Sequence, residues 1–500
     1  MDDPRRKTMT FIAIGLIFFF NGVEYAVILP TVWEYLQNLD ATSSFLGMCL
    51  SAFSLSGLLS GPLFGHWTDR TRSTKNAILV GNFFEIVGSL MYSVGYSKWI
   101  VLSSRLVAGV GSGVGSSIFG FLTRSTSVKD RATAIAAVMA CRHGGLVIGP
   151  GLNVFLRFCN FKMGPFEVNK YTAPGIFMCL LWILLQLVVI FMFWDGPNVE
   201  KRKAQEKGAS NNNMVEEKEV LEKYSDKEDD DDDDDDEERP LMLSYELLGS
   251  YGTVGKHKPH RHSTMTHNTL SAPTSSPEPQ EPRGTGTSLS KWRELLREEV
   301  VVLLAAQFIL LFNHTALETM VTPLTQKYFS YGELQNSVMY CLGGIEVIVG
   351  FMLVRWLSRC VPERVLMATG VTLCNVSSIW CNIFLTNPIG TYSWKLGEFI
   401  VGMFLQVLSL PILAVAQVSL YSKLTPEKTQ GFSHGIRRSV GGLATILGPL
   451  WAGGLTDNMY ILLGVMFALL LVLTVMLICS YKRLVSPPAE KPEETSTTSV

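Results

Sequence analysis

Glu24, Glu85, Arg105, Arg142, His314, Glu318, Glu346, Arg437 and Arg438 all fall inside long apolar stretches of this chain. A charge in hydrocarbon costs several kcal/mol unless a partner or a water-filled cavity offsets it. Ionisable side chains at such positions suit the binding of charged solutes and the uptake and release of protons. At 1.5 Å rise per helical residue, Glu24 lies roughly 21 Å above the cytosolic face, and Arg105, entering from the other side, reaches about the same level. They can pair across two helices: either Glu24 takes a coupling proton under the control of Arg105, or the pair is a permanent structural bridge. Arg142 and Glu346 both come out near the midplane, about 15 Å from either face. Arg437 and Arg438 lie about 10 Å deep, where they attract anions or snorkel to lipid phosphates. Adjacent helical positions point apart, so snorkelling is expected for one of the two. His314 sits one turn from Glu318 on the same face, which suits a proton relay; the alternative is that Glu318 caps a helix end in water. No role is assigned to Glu85.

The elements that must hold these residues are membrane spans. Of 500 residues, 47% are hydrophobic and 17% charged, and much of the acid is concentrated in one run at 229–238, so the remainder is strongly apolar. Spans of roughly twenty apolar residues cross about 30 Å of hydrocarbon as helices. They are marked at 10–35, 44–64, 77–96, 99–122, 132–155 and 172–194, then at 300–321, 336–356, 365–385, 396–420, 432–454 and 460–481. The fifth of each set carries nearly the same phrase: Gly144, Gly145, Gly149 and Pro150 are matched by Gly441, Gly442, Gly448 and Pro449. The chain therefore reads as one six-helix unit written twice, an all-α membrane protein, and duplicated bundles of this kind carry solutes. The glycines permit close helix approach, and the prolines each free a backbone carbonyl and bend the helix.

The expected organisation is a six-helix half at 1–196, an acidic cytosolic linker at 197–297, a second half at 298–484 and a cytosolic tail at 485–500. The linker is too polar to offset its ordering entropy by burial, and so is expected to be disordered. Its His257, His260, His262 and His267 have no cysteine partners and fit no closed zinc site, so no metal is expected. Lysine and arginine cluster at Arg5–Lys7, Arg70–Lys75, Arg124–Arg131, Arg359 and Arg364, Lys423 and Lys428, and Lys482 and Arg483. The positive-inside rule then places both termini in the cytosol. Arg157, Lys162 and Lys170 break that alternation. The first apolar run lacks a small-residue cleavage site and reads as an uncleaved helix rather than a signal peptide. The nine cysteines lie mostly in spans, which argues against a disulfide framework.

The segment Gly65, His66, Trp67, Thr68, Asp69, Arg70, Thr71, Arg72 resembles the cytosolic loop motif of the major facilitator superfamily. Arg105 with Gly109, Gly111 and Gly113 resembles its fourth-helix signature, and the residues from Gly144 to Pro150 its fifth-helix signature, without the usual glycine pair after the proline. The second half more closely resembles the lysosomal, neuronal ceroid lipofuscinosis-linked branch known as domain-containing protein eight. The matching residues run from Leu317 to Thr325, with Gly344 to Val347, Pro362 to Arg364, Leu420 to Lys423, and Gln430 and Gly431. The chain departs from that branch at Arg142, His143, Arg437 and Arg438 and in a short loop between the ninth and tenth spans, as a paralogue would. Asn313 and Asn375 are sequons inside spans, beyond the reach of glycosylation. The resemblance implies a twelve-helix fold in which the fifth and eighth helices are neighbours from opposite halves. Arg142 and Glu346 would then face each other across a moving interface, as an anion-sensitive gate or a static bridge.

No phosphate-cradling loop, catalytic triad or nucleic-acid motif is visible, so neither an enzyme nor an ATP-driven pump is expected, and no cofactor. The leading expectation is a secondary transporter of a small anion, organic or inorganic, working by alternating access with proton coupling. A chloride-conducting channel-like protein is the alternative, and a scaffold acting through the acidic linker a third. The Tyr245–Leu248 segment fits a tyrosine-based sorting pattern, which with the resemblance favours sorting adaptors and an endosomal or lysosomal membrane. Lipid is the other expected partner.

Overall fold

The structure, a computed structural model, describes residues 3–126, 128–163, 166–195, 296–386, 388–425 and 430–484. The acidic run, the histidine tract, the Tyr245–Leu248 pattern, Lys428 and the tail lie outside them, as do the side chains of Lys129 and Arg131.

Helices account for nearly all of the described chain. In the first half they are α1 (Asp3–Val27), α2 (Leu29–Gln37), α3 (Ser43–Thr71), α4 (Thr74–Val94), α5 (Lys98–Ser112), α6 (Gly115–Ser125), α7 (Val128–Leu156) and α8 (Ala173–Met192). In the second they are α9 (Glu298–Phe329), α10 (Glu333–Leu357), α11 (Glu363–Phe384), α12 (Tyr392–Leu424), α13 (Gln430–Leu455) and α14 (Met459–Ser480). These make twelve spans, because α1 and α2 form one interrupted span and α5 and α6 another. The first interruption falls just before Pro30, which sits in the first turn of α2, where a missing N–H is harmless. The second falls at Gly113 and Val114. Among the described residues, 11 helical segments are long and apolar enough to cross a membrane. The remaining span is α13, whose polarity comes from His434, Arg437 and Arg438. Between α7 and α8 lies the one departure from all-helical structure, an antiparallel hairpin of β1 (Phe161–Met163) and β2 (Phe166–Val168).

Each half has its own buried core, one running from Ile14 to Phe193 and the other from Val300 to Leu484. The repeated glycine phrase explains how each is assembled. A Cβ on Gly145 would run into the Phe19 carbonyl of α1, and one on Gly448 into Thr315 Oγ1 of α9. Gly149, the counterpart of Gly448, likewise abuts Ala26 and the Val23 carbonyl of α1, so the phrase lays α7 on α1 and α13 on α9 at backbone distance in both halves. Pro150 and Pro449 lie within α7 and α13.

The halves meet mainly along α3 with α13 and α7 with α10. Gly47 admits the Pro449 carbonyl, Ser51 Oγ donates to the Ile446 carbonyl at 2.6 Å, and Cys341 Sγ donates to the Val147 carbonyl at 3.6 Å. Large apolar side chains such as Leu63, Phe83, Phe191, Met352 and Ile478 face outward, as a lipid-bathed surface requires.

One local feature was not visible in the sequence. Asp195, just beyond α8, accepts the backbone N–H groups of Thr74 at 3.0 Å and Lys75 at 3.2 Å, capping α4 with a charge suited to its N-terminal dipole. Nearby, Asp69 of the loop motif pairs with Arg124 at 3.0 Å, Gly65 is buried and Arg70 exposed.

Candidate functional site

A cavity of about 160 Å³ lies between the halves, walled by α1, α2, α7, α9, α10 and α12. Most of its lining is aliphatic, from Leu29, Leu146, Leu317, Met339, Val347 and Met403. Into this apolar chamber project Arg142 and His143 from α7, His314 and Glu318 from α9, and Gln406 from α12. Arg142 and His143 are buried, His314 and Glu318 half-buried. The Tyr25 hydroxyl of α1 donates to Glu318 Oε2 at 2.7 Å, and the Tyr340 hydroxyl of α10 to the Glu318 carbonyl at 2.9 Å. His143 Nδ1 lies 2.8 Å from the Met139 carbonyl, and its ring meets Phe351 of the opposite half edge-on.

Glu318 is therefore no helix-end cap. α9 continues through Pro323 to Phe329, well beyond the apolar limit near 321, and so keeps Glu318 in the helix interior, facing the cavity. Arg142 and Glu346 do not pair either. Glu346 shares a face of α10 with the exposed Leu342, Ile345 and Val349, turned away from the cavity, and its Oε1 is buried without a hydrogen-bond partner. One helical step of azimuth, about 100°, separates it from Val347, which does line the chamber.

Arg437 does not snorkel. It is 1% exposed, donates to Gln307 Oε1 at 3.2 Å and lies over the Tyr421 ring, inside its own half. Arg438 turns the other way, its guanidinium 5.0 Å from the Phe119 ring of α6 across the interface.

A second ionisable cluster lies wholly inside the first half. Arg105 is 3.8 Å from Glu24 Oε1 and stacks on the Phe53 ring at 4.5 Å, while Trp182 Nε1 donates to Glu24 Oε2 at 2.8 Å. Glu85, 1% exposed, points into this cluster rather than toward lipid.

The chamber is sealed at the end opposite the termini. Trp33 Nε1 donates to Gln326 Oε1 at 2.5 Å, and Gln326 Nε2 to Gln37 Oε1 at 2.8 Å. Lys170, beyond the β-hairpin, reaches Glu34 at 2.9 Å in its own half and Glu333 at 3.0 Å in the other. Tyr171 adds a 2.5 Å hydrogen bond to Glu34. Burial opposes the charge on Lys170, but the hydrogen bonds from it to Glu34 and Glu333 outweigh that and hold it well above the ordinary lysine range. One of the three basic residues that broke the alternation of charged loops thus serves as a clamp. Tyr25, Tyr340, Gln406 and the Lys170 clamp were not singled out from sequence. Only the three cations of that outer loop, Arg157, Lys162 and Lys170, gave any signal.

A family model described as Major Facilitator Superfamily matches residues 14–397. Major facilitator superfamily domain-containing protein 8 of Xenopus laevis is 22% identical, over 94% of this chain and 90% of that protein. Multidrug resistance protein 2 of Bacillus subtilis (strain 168) is 24% identical over 39% of this chain and 46% of its own length. Among solved structures, a bacterial homologue of the human lysosomal transporter Spinster, inward-facing and occupied, superposes with a TM-score of 0.64 at 12% identity, covering 97% of this chain and 98% of its own. The human organic anion transporter MFSD10 superposes with a TM-score of 0.55 at 16% identity, over 95% and 100%.

Proposed function

Because the chain belongs to the Major Facilitator Superfamily and is a multi-pass membrane transporter of that type, we propose that it carries a small organic anion by alternating access, driven by protons, in an endosomal or lysosomal membrane. The observation that carries this reading is Arg142, buried at the wall of a mostly aliphatic chamber between the two halves. A guanidinium there offers a carboxylate or phosphate a planar, charge-assisted fork, while the aliphatic walls suit a solute with an apolar body. Such a lining favours an organic anion over chloride, which gains nothing from apolar contact.

With Trp33, Gln326 and Lys170 joining the halves at the end opposite the termini, the chamber is closed on that side. Cytosolic termini, as the charge alternation suggests, make this a cytosol-facing state. Anion binding at Arg142 and rearrangement of the Tyr25–Glu318 bond then bias the rocking of one half on the other, since a ligand shifts an equilibrium by its differential affinity for the two states. The sorting pattern at Tyr245–Leu248 and the resemblance noted above support the compartment.

The test is anion flux into proteoliposomes under an imposed pH gradient, comparing wild type with Arg142→Gln. Saturable flux that the substitution abolishes supports the carrier. Current that keeps rising with chloride and ignores the pH gradient would replace it with a channel.

A further inference from the structure

The buried cluster in the first half contains more acid than base. Glu24 and Glu85 face one another beside Trp182, which donates to Glu24 and shares the lining of a small cavity with Glu85, and among the described residues Arg105 is the cation that faces both. Cys49 of α3 and Tyr92 of α4 are the other titratable groups nearby, and each faces the guanidinium rather than the carboxyls. Glu24 is 2% exposed, Glu85 1% and Arg105 4%. Trp182 satisfies one oxygen of Glu24, but Glu24 Oε1 and both oxygens of Glu85 have no donor among the described groups. Two carboxylates and one guanidinium would leave a net negative charge in a dry interior, and like charges so placed cannot both stay ionised.

The surroundings are built for this arrangement. Gly111 has no side chain where a Cβ would come within 2.7 Å of Glu85 Cγ, so the α4–α5 packing leaves room for a carboxyl. Beside Glu85 is a cavity of about 20 Å³ lined by Asn21, Asn82, Ser112 and Trp182. That is enough for one water molecule with polar partners, and Asn82 Nδ2 is itself without an acceptor.

We propose that Glu24 and Glu85 form a carboxyl–carboxylate pair that shares one proton beside Arg105, and that this pair, outside the lining of the solute chamber, is the seat of the coupling proton. It rests on the transport reading above for the word coupling, though not for the pair itself. With the proton in place the cluster is neutral. On release, the O–H bond of the acid breaks, the proton passes to water in the adjoining cavity, and two carboxylates remain against one guanidinium. The repulsion between Glu24 on α1 and Glu85 on α4 then pushes apart the helices that carry them. Because α1 also carries Tyr25, whose hydroxyl bonds Glu318 of the other half, that displacement reaches the interface between the halves.

The experiment is infrared difference spectroscopy on the purified full-length protein at neutral pH, following the carbonyl stretch of a protonated carboxylic acid in wild type, Glu24→Gln and Glu85→Gln. Either substitution leaves a single carboxyl against Arg105, which ionises, so the same acid band is expected to vanish from both variants. A band unchanged in both, or lost from one alone, overturns the shared proton. A band absent in sodium buffer that appears when choline replaces sodium overturns it in favour of a metal cation. Should a variant fail to fold, the wild type carries the test: the band must shift in heavy water and bleach reversibly on alkalinisation, and its absence sinks the pair. None of this needs flux, so failure to transport any anion would leave a positive result standing. In proteoliposomes, Glu85→Gln is expected to keep solute exchange within about twofold of wild type and lose at least tenfold of its stimulation by a pH gradient. Undiminished stimulation would strip the pair of its coupling role.

Discussion

The Tyr25 hydroxyl, on α1, donates to the Glu318 carboxylate, on α9, at 2.7 Å, and so bonds the two halves through the chamber they enclose. α1 and α9 are the first helices of their halves, and each is packed against the glycine-bearing helix of its own half, so this one bond ties together the two inner pairs.

Tyr25→Phe keeps the ring and removes the bond. A hydrogen bond to a charged group contributes about 1.5–3 kcal/mol net, so the balance between the two end states is expected to shift at least tenfold toward the one in which α1 and α9 separate. Spin-label distances across the sealed end measure that shift. Distances indistinguishable from wild type would show that the bond does not hold this state.

Lys170→Met removes both ion pairs of the clamp. The ammonium is 32% exposed, and partly exposed pairs contribute roughly 0–1 kcal/mol each, so the effect should be modest and shrink in high salt. The pH dependence follows from the raised pKa of Lys170. A lysine held above its free value contributes below that value and stops contributing only as pH rises through the higher folded one. Deprotonation of Lys170 is therefore expected to open the clamp only in strong alkali, and never between neutrality and mild acid. Solvent labelling of a cysteine placed at Gln326, followed against pH and salt, checks both statements.

Gly144 and Gly145 are neighbours with opposite prospects. A Cβ on Gly145 meets the Phe19 backbone, whereas one on Gly144 comes no closer than 3.9 Å to the Phe19 ring. Gly145→Ala is expected to destabilise by about 1–3 kcal/mol through overpacking, and Gly144→Ala to be neutral or to gain up to about 1 kcal/mol from helix propensity. Thermal unfolding of the two proteins in detergent gives the comparison, and equal melting points would refute this account of α7 on α1.

Glu346 sits on the outward side of α10, its Oε1 without a hydrogen-bond partner among the described residues. Glu346→Leu is expected to leave flux unchanged and to raise the melting temperature, since it replaces a carboxyl in an apolar setting with a side chain suited to lipid. A fall in flux would restore Glu346 as a gating group.

The spans, their duplication and the division into halves were legible because each depends on local composition and on a phrase repeated at fixed intervals. Depth was legible too: counting residues put Glu24 and Arg105 at one level, and they lie 3.8 Å apart. Azimuth was not. Arg142 and Glu346 differ in direction, about 100° of helical rotation between Glu346 and Val347 deciding which faces the chamber. They differ in level too, since Val147 meets Gly344 and His143 meets Phe351, which leaves Arg142 closer along the axis to Phe351 than to Glu346. Apolar length also understated α9, because a helix buried by neighbours tolerates Thr322, Pro323 and Gln326 beyond its apolar stretch. The Tyr25–Glu318 and Lys170–Glu333 contacts join residues hundreds of positions apart in unrelated local contexts, so no window of sequence could have paired them.

The glycine phrase aligns Gly144 with Gly441 at its start and Pro150 with Pro449 at its end, and Arg142 corresponds to Ser439 by the one register and to Gly441 by the other, never to an arginine. Packing is thus duplicated while charge is not: Arg437 of the second half is displaced by about two to four residues, about 3–6 Å along the axis, toward the end that holds the termini. A machine made of two matching levers would have two mirror-image resting positions of equal energy. This one has matching hinges but unequally weighted arms, so its two openings differ in the charge they uncover, and a preferred direction is written into the protein before any gradient is applied.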